Sequence, residues 1–570
     1  VQSVYQTDTE RIMLKRRKFR KTAWIEDQAT GKVVEQITFP KLGGGIGRIV
    51  LPPSIVNDRR NLERHLRDAG ARLPRARKRA AVLLERLGNE LPATQYVYAA
   101  GCGWRDKGRA FVLPHGLIGS ATEPVIGINP HAFKNDTIGS RGEAGTWREW
   151  RDKVAKPAGQ SSLLMCAISF ALAAPLLSLL NRDSRTICLF GPSRSGKTTA
   201  TLVAASVIGI GRTVQLPNWN VTDARLEQQI ALFNDSLFPI DDLGIIGGKV
   251  RDAYQRIHDL AYRLHQGWGR GRHSSFATSN ALVREQWRSI GMTSSEVAIR
   301  DLAHAAGCQR QAGECVRLID VPVLIAGKDN LFDRTGKTLE RRASADILGR
   351  IVEGVSRHHG RVFRRHALNI IKERAELKKY CNEKIRHFSA SVKAKGDGNL
   401  ARDVAETFGL AFAAGCFAIR RSLLPWRESD LLGALTTIYS GAREMLPDPG
   451  VALRNGLGAL RGVLRGIQRS AVQGVHNVNF ETASGTCRTR RTYRRFFIKG
   501  DAYNSIFPTA HEKALVTAWL LRKGRMTAAG PSKAGQPANL KPKHQIVWPD
   551  GKRRRSVEIL WPRKRKRRQG

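Results

Sequence analysis

The stretch Leu189-Phe190-Gly191-Pro192-Ser193-Arg194-Ser195-Gly196-Lys197-Thr198-Thr199 constrains this chain more than any other. Gly191, four residues, then Gly196-Lys197-Thr198 fit the phosphate-binding spacing G-x-x-x-x-G-K-[ST]. The residue types follow from the chemistry. Glycines let backbone N–H groups turn inward, so residues 191–199 cradle phosphate oxygens. The Lys197 ammonium reaches the β- and γ-phosphates of a nucleoside triphosphate, and the Thr198 hydroxyl ligates Mg²⁺. Thr186-Ile187-Cys188-Leu189-Phe190 is a short apolar run of the kind that forms a buried parallel strand, and the segment after Thr199 is Ala-rich and helical in character. Strand, loop and helix in that order place a helix N-terminus beneath the phosphates.

A phosphate loop needs a second carboxylate from a neighbouring strand. Leu237-Phe238-Pro239-Ile240-Asp241-Asp242 is an apolar run ending in two acids. Asp241 is expected to hold Mg²⁺ through water, and Asp242 to orient the attacking water. A helix is expected over Lys249 to His265. The Gly- and Arg-rich insert after it is a candidate DNA-contacting hairpin, with Arg270, Arg272 and His273 on backbone phosphates. A strand from Arg288 to Glu296 then supplies Thr293 or Ser294 as a sensor of the γ-phosphate. A strand from Glu314 to Pro322 carries Arg317, which can complete a neighbouring subunit's site as an arginine finger.

Charge narrows the partner. The chain has 96 Lys and Arg against 49 Asp and Glu, a net charge of +47. Such an excess calls for a polyanion, and nucleic acid fits because each neutralised phosphate releases counterions. The 8 cysteines show no C-x-x-C pair or metal-like cluster, which points to reduced thiols in a cytoplasmic protein. Lys15-Arg16-Arg17 and Arg20-Lys21 break any apolar leader. The start at Val1 rather than Met leaves upstream residues open. Ser161 to Leu180 is uncharged over the length of a membrane span, but Pro175 and its place just before the phosphate-loop strand favour a buried helix on the sheet.

At 570 residues the chain is too long for one core. The expected organisation is an N-terminal α+β module over 1–95, a β-rich connection over 96–146, the nucleotide-binding core over 147–340 and a helical lid over 341–445. Pro447-Asp448-Pro449-Gly450 marks a boundary. Beyond it, 446–562 has the pattern of a winged-helix-like DNA-binding module. Helices are expected over Val451–Gln468 and His511–Lys523, with Gly524 as a C-terminal cap. His544–Trp548 and Ser556–Trp561 flank Pro549-Asp550-Gly551 as a hairpin, or wing, with Lys552, Arg553, Arg554 and Arg555 near its tip. Residues 563–570 form a basic tail.

Taken together, these motifs resemble the family called domain of unknown function 927, whose members are often described as superfamily II helicases and inactivated derivatives. The resemblance rests on Gly103-Trp104 with Phe111-Val112-Leu113-Pro114, Trp147 to Arg151, Phe190 to Thr198, Trp219-Asn220, Asn234-Asp235, Asp241-Asp242, Trp287-Arg288 and Val316 to Pro322. It runs from about Tyr96 to Arg443. It implies an α/β fold with an AAA+ P-loop core similar to minichromosome-maintenance helicases of phages and mobile elements, with ATP and Mg²⁺ bound between subunits of a homo-oligomeric ring, hexameric by analogy. The implied activity is ATP-driven translocation on single-stranded or forked DNA. By the same analogy Arg317 lies on the arginine-finger strand, the Gly267 to Trp287 insert is a pre-sensor hairpin, and Arg402 is a second sensor in the lid. Two departures stand out. The family usually shows Asp-Glu where this chain has Asp241-Asp242, and often Ser-Thr-Gly-Glu where it has Thr293-Ser294-Ser295-Glu296. The alternative reading is a non-hydrolysing or slow nucleotide-dependent initiator or helicase loader.

Overall fold

The computed structural model describes residues 19–562 apart from 93, 130–140, 247–248, 271, 274–281, 284, 309, 325–330, 336–339, 395–397, 448, 473–484, 490–492, 508–509, 530–541 and 549–550. Two compact units divide the chain between Leu446 and Pro447, where the Pro-rich breaker stands. The basic tail lies outside the described residues.

The first unit opens with β1 (Arg20–Asp27), β2 (Lys32–Pro40) and β3 (Ile46–Leu51). In β1, Lys21, Ala23, Ile25 and Asp27 are buried while the residues between them are not, the period-two signature of a strand with one covered face. β4 (Thr94–Ala99) runs parallel to β1, and β8 (Val125–Ile128) runs parallel to β4, giving the order β3-β2-β1-β4-β8. β4 straddles the boundary expected at 95/96, so one sheet takes strands from both sides of it. The helices Arg59–Asp68 and Arg77–Asn89 bury Leu62, Leu66, Leu84 and Leu87 in a core with Ile37 and Phe39. Between β4 and β8, β5 (Gly103–Arg105), β6 (Ala110–Leu113) and β7 (Gly116–Gly119) form a small antiparallel sheet.

The central sheet consists of β9 (Arg185–Phe190), β10 (Leu237–Pro239), β13 (Ile290–Ser295) and β14 (Leu318–Pro322). All pairings are parallel, in the order β10-β13-β9-β14. Every residue of β13 is buried, as expected of a parallel strand covered on both faces. The uncharged stretch before β9 is the helix Ser162–Ala173, all twelve residues of which are buried. It packs on Lys197–Val207 and on the later helices Asn399–Arg420 and Glu428–Glu444. Among the described residues no helix is long and apolar enough to cross a membrane. All eight cysteines are free thiols.

Between β10 and β13 come the helix Val250–Gln266 and a short antiparallel pair, β11 (Arg272–His273) with β12 (Leu282–Val283). The strand expected from Glu314 is instead a helical turn, Ala312–Arg317, followed by β14 at Leu318. Glu314 is fully buried there and its carboxylate accepts from Tyr254 and Arg310, contacts that a strand starting at Glu314 would not make in this register.

A polar clamp joins the small sheet to the core. The Asp235 carboxylate accepts from the Trp104 backbone N–H at 3.0 Å and from the Ser178 hydroxyl. Asn234 donates to the Cys102 carbonyl at 3.0 Å and accepts from the Arg288 N–H at 2.8 Å. Trp104 Nε1 reaches the Pro175 carbonyl at 2.7 Å. Gly103 has φ +107°, and a Cβ there would lie 2.5 Å from both Asn234 Nδ2 and Asp235 Oδ2, so the close approach requires glycine. Trp104 is thus a packing residue, and Gly103-Trp104, Asn234-Asp235 and Trp287-Arg288 converge on one structural joint.

The second unit contains β15 (Gly485–Thr489), β16 (Tyr493–Lys499), β17 (Gln545–Val547) and β18 (Arg553–Pro562), antiparallel in the order β15-β16-β18-β17. The helices Pro449–Val472 and Ala510–Arg522 cover one face through Leu460, Leu464, Val516 and Leu520. Gly524 has φ +61° just past the second helix, the left-handed position of a C-terminal cap. The expected hairpin is the β17–β18 pair.

Burial raises the Asp235 carboxyl to about 6 against its hydrogen bonds from Ser178 and Trp104. The folded state therefore holds a proton between about pH 4 and 6 that the unfolded chain releases. This group's contribution grows as pH falls through 6 and reaches its full value near 4, about 3 kcal/mol in all. Urea denaturation of wild type and Asp235→Asn at pH 7 and pH 4.5 should show that slope in the wild type and a flatter one in the variant.

Candidate nucleotide-binding site

The C-terminal edge of the central sheet assembles the site. β9 ends at Phe190 and opens into the glycine loop, which the Gly191 N–H ties to the Ser295 carbonyl at 3.3 Å. Gly196 caps the helix Lys197–Val207 with φ +94°, and a Cβ there would meet Leu331 at 3.0 Å. The left-handed turn aims the first N–H groups of this eleven-residue helix toward the loop's interior. Arg194 also sits at positive φ, +60°, with its side chain exposed alongside Pro192 and Ser193. Lys197 is 8% exposed and its ammonium donates to the Gly191 and Pro192 carbonyls at 2.7 and 2.8 Å. Thr198 and Thr199 follow it, both half-buried.

Register brings the carboxylates near. Pro239 of β10 pairs with Met292 of β13, and Ser294 of β13 pairs with Leu189 of β9. The Ile240 N–H continues the ladder to the Met292 carbonyl at 2.9 Å. Asp241 thus leaves the sheet level with Ser294 and two strands from the loop strand, about 10 Å at about 4.8 Å per strand. Lys197 and Asp241 would hold a metal-bound phosphate between them across that distance. Three polar atoms along this edge are buried without a hydrogen-bond partner: Ser195 Oγ, Asp241 Oδ1 and Ser294 Oγ. Buried polar groups are nearly always satisfied. A hydroxyl in the loop, a hydroxyl on the middle strand and a carboxylate oxygen on the third are a donor and acceptor set that a Mg²⁺-bound triphosphate would satisfy, so the residues fit that group.

Thr293 and Ser294 separate by strand alternation. Thr293 is wholly buried and its hydroxyl accepts from Trp219 Nε1 at 2.9 Å. Ser294 alone of the two keeps its hydroxyl unengaged. Asp242 has a local task as well. Its carboxylate accepts from the Gly244 N–H at 2.9 Å and caps the turn Leu243–Ile245.

Arg317 lies elsewhere. It closes the helix Ala312–Arg317 just before Leu318, which pairs with Thr186 at the start of β9. The phosphate loop follows the other end of β9, roughly 13 Å away at about 3.3 Å per residue. Its guanidinium donates to the Gly313 carbonyl at 2.6 Å and stacks over Tyr262, 4.6 Å from the ring centre. It makes no ion pair with Glu314 or Asp320. Arg310 takes both, with Nε 3.1 Å from Glu314 and Nη1 2.6 Å from Asp320. Asp320 also accepts from the Ile299 N–H at 3.2 Å. His258 and Tyr254 meet Glu314 at 2.8 and 2.9 Å. Nothing in the sequence pattern distinguished Arg310, since its acids lie four and ten residues on and only the turn at 312–317 folds them together. Arg402 is exposed on the helix Asn399–Arg420 and its guanidinium is bonded to Asn399.

The insert does form a hairpin. The Trp287 N–H donates to the Gly267 carbonyl at 3.0 Å and the Gly269 N–H to the Glu285 carbonyl at 2.8 Å, continuing the β11–β12 ladder to its base. Trp287 is buried and anchors the base through Nε1 to the Leu264 carbonyl at 3.0 Å, while Trp268 is exposed. Arg270 is exposed, its N–H on Glu227 at 3.2 Å. Arg272 and His273 are paired strand residues whose side chains lie outside the described ones. In the wing, Lys552, Arg553 and Arg555 are exposed, and Arg554 stacks on Trp548 at 5.0 Å. Among the described residues no cluster of His, Cys, Asp and Glu could by itself hold a metal.

The model of the domain of unknown function called DUF927 matches residues 5–281. The match takes in the N-terminal sheet, which the resemblance read from the sequence left out, and it ends inside the hairpin insert rather than at Arg443. No curated protein matches the sequence. A solved structure described as SCCmec type IV Cch, an active helicase, aligns with a TM-score of 0.56 at 15% identity, over 95% of this chain and 93% of that one. That likeness is one of fold. The apo A form of the NrS-1 C-terminal region aligns with a TM-score of 0.29 at 9% identity, over 70% of this chain and 85% of that one, and carries no argument.

The two arginines should separate by stability. Arg310→Ala leaves two buried carboxylates without their cation and should cost about 3–5 kcal/mol. Arg317→Ala removes a stacking contact and should cost about 1–2 kcal/mol. Equilibrium urea unfolding of the two variants checks the order.

Proposed function

We propose that this chain, whose residues 5–281 carry the DUF927 domain, is an ATP-dependent DNA translocase or helicase of a phage or mobile genetic element. The observation that carries the reading is the trio of unsatisfied buried oxygens on Ser195, Asp241 and Ser294, gathered at the sheet edge where the glycine loop opens. The parallel order β10-β13-β9-β14 supports an AAA+ core, with the acid-bearing strand and the hydroxyl-bearing strand on one side of the loop strand. The helicase-like fold of the Cch structure and the net charge of +47 support a nucleic-acid partner.

In this reading ATP supplies the phosphoanhydride bond and Mg²⁺ neutralises charge on its oxygens. The chain's own residues position and stabilise. Backbone N–H groups of 191–199 and the Lys197 ammonium hold phosphate oxygens, which requires Lys197 to exchange its two loop carbonyls for the ligand. Thr198 and Asp241 hold the metal. Asp242 orients water, Ser294 senses the γ-phosphate, and Thr293 keeps the middle strand in place through Trp219. Catalysis of this kind is charge stabilisation in a preorganised site. Arg317, at the far end of the sheet from its own loop, serves a neighbouring copy, which requires a ring. The helix Val250–Gln266 links Glu314 and Arg317 to the hairpin, since Tyr254, His258 and Tyr262 all lie on it. A shift at the subunit boundary would therefore move Arg270, Arg272 and His273 along the strand. The wing residues Lys552 to Arg555 add sequence-independent phosphate contacts.

One observation favours the second reading, a slow or non-hydrolysing loader: the Asp242 carboxylate is short and already caps a turn. DNA-stimulated ATPase decides. Lys197→Ala should lower the rate on the order of 100-fold or more. Asp242→Asn should lower it comparably while ATP binding persists. Wild type that binds ATP but releases no phosphate on any DNA would establish the loader. Rates equal in wild type and Lys197→Ala would end the ATPase claim.

A further inference from the structure

Residues 447–570 hold twenty-seven Lys and Arg against six Asp and Glu, a denser positive charge than the rest of the chain carries. Four of the seventeen Lys and Arg that the structure describes there share one helix. Pro449–Val472 contains no acidic residue, and Arg454, Arg461, Arg465 and Arg469 are all exposed. At about 100° per residue these four fall within an arc of about 80°, and at 1.5 Å per residue they span about 22 Å of the axis. Leu457, Leu460, Leu464 and Ile467 occupy a separate arc, centred about 120° away, and enter the core of the unit. Among the described residues no ion pair joins any of the four arginines to an acid.

Aromatic rings extend the charged face onto the sheet. Arg461 stacks over Trp561 at 5.7 Å from the ring centre. Arg525 lies over Trp561 at 5.4 Å and over Trp519 at 5.0 Å. A guanidinium placed over an indole can still donate N–H groups to phosphate and has less rotamer freedom to lose on binding. Gly458 and Gly462 lie beside the arginines, and a Cβ at either would meet nothing within 4 Å. The fold of the unit gives no reason for glycine at these two positions, although glycine inside a helix is destabilising relative to alanine. A ligand strand lying against the bare helix backbone would give one.

We propose that the exposed face of Pro449–Val472, continued by Arg525 and the Trp519 and Trp561 rings, is a docking surface for a nucleic-acid phosphate backbone, distinct from the wing at 552–555. It rests on the reading of DNA as the partner but requires neither ATP hydrolysis nor translocation. The four arginines contact phosphates without reading bases, so affinity is sequence-independent and steeply salt-dependent.

The test uses the full chain without nucleotide, binding labelled duplex and labelled single-stranded DNA over a range of salt. The variant Arg454→Ala, Arg461→Ala, Arg465→Ala, Arg469→Ala keeps a good helix former at each exposed position. Its log–log salt slope on duplex should fall by about 3–4, at about 0.9 per lost contact. The loss should be the same for unrelated sequences and larger on duplex than on single-stranded DNA. The DNA-independent ATPase should be unchanged. Gly462→Leu should raise the melting temperature while weakening binding at least fivefold, a pairing that a merely structural role would not produce. An unchanged slope in the arginine variant overturns the proposal, as does Gly462→Leu binding as tightly as wild type. An arginine variant that keeps its slope but loses self-association also overturns it, in favour of a contact between copies. Failure of the motor reading shows separately, as ATPase insensitive to Lys197→Ala with this binding intact.

Discussion

The structure of the first unit depends on the parallel pairing of β9 with β13 on one side and β14 on the other. That pairing fixes which end of the sheet faces the glycine loop. It sets Ser294 and Asp241 level with the loop and consigns Arg317 to the opposite edge. The strands are short, so a shift of one residue in register would turn Ser294 toward the Trp219 side and Thr293 toward the loop. The Trp219–Thr293 hydrogen bond and the buried Arg310–Asp320 pair hold the register from either side. Neither touches the candidate ligand, yet both position groups that would.

Helix Val250–Gln266 connects this sheet to the candidate DNA contact. One end leads from the turn after Asp242 and the other enters the hairpin at Gly267. Between them its face carries Tyr254, His258 and Tyr262 against the Ala312–Arg317 segment. The hydrogen bonds of Tyr254 and His258 to the buried Glu314 tie the helix to that segment, because breaking either leaves a buried carboxylate short of a partner.

The family motifs divide into two kinds once they are placed in space. Gly191 to Thr198, Asp241-Asp242 and the serine-bearing β13 lie at the candidate site. Gly103-Trp104, Asn234-Asp235 and Arg288 form a joint between sheets, with Asp235 buried at the other end of β10 from Asp241. A motif held by geometry and a motif held by chemistry look alike in one dimension. Glycine at 103 is required because Asn234 and Asp235 occupy the space of a side chain, a fact with no local signature.

The sequence by itself determined the glycine loop, the strand entering it, the acid-ended β10, the buried helix at 162–173, the break at Pro447 and the β17–β18 hairpin. Each has a local cause: left-handed glycines, an apolar run of strand length, a helix without charge, a proline, or turn residues between alternating strands. Tertiary structure alone decided the rest. Arg317 is the end of a helical turn because Glu314 finds Tyr254 and Arg310 across the fold. Ser294 rather than Thr293 is left unengaged because a tryptophan 74 residues away takes the threonine. β4 joins a sheet begun seventy residues earlier because its partner offers an open parallel edge. These outcomes rest on contacts between residues far apart in the chain, and periodicity and spacing report only on neighbours.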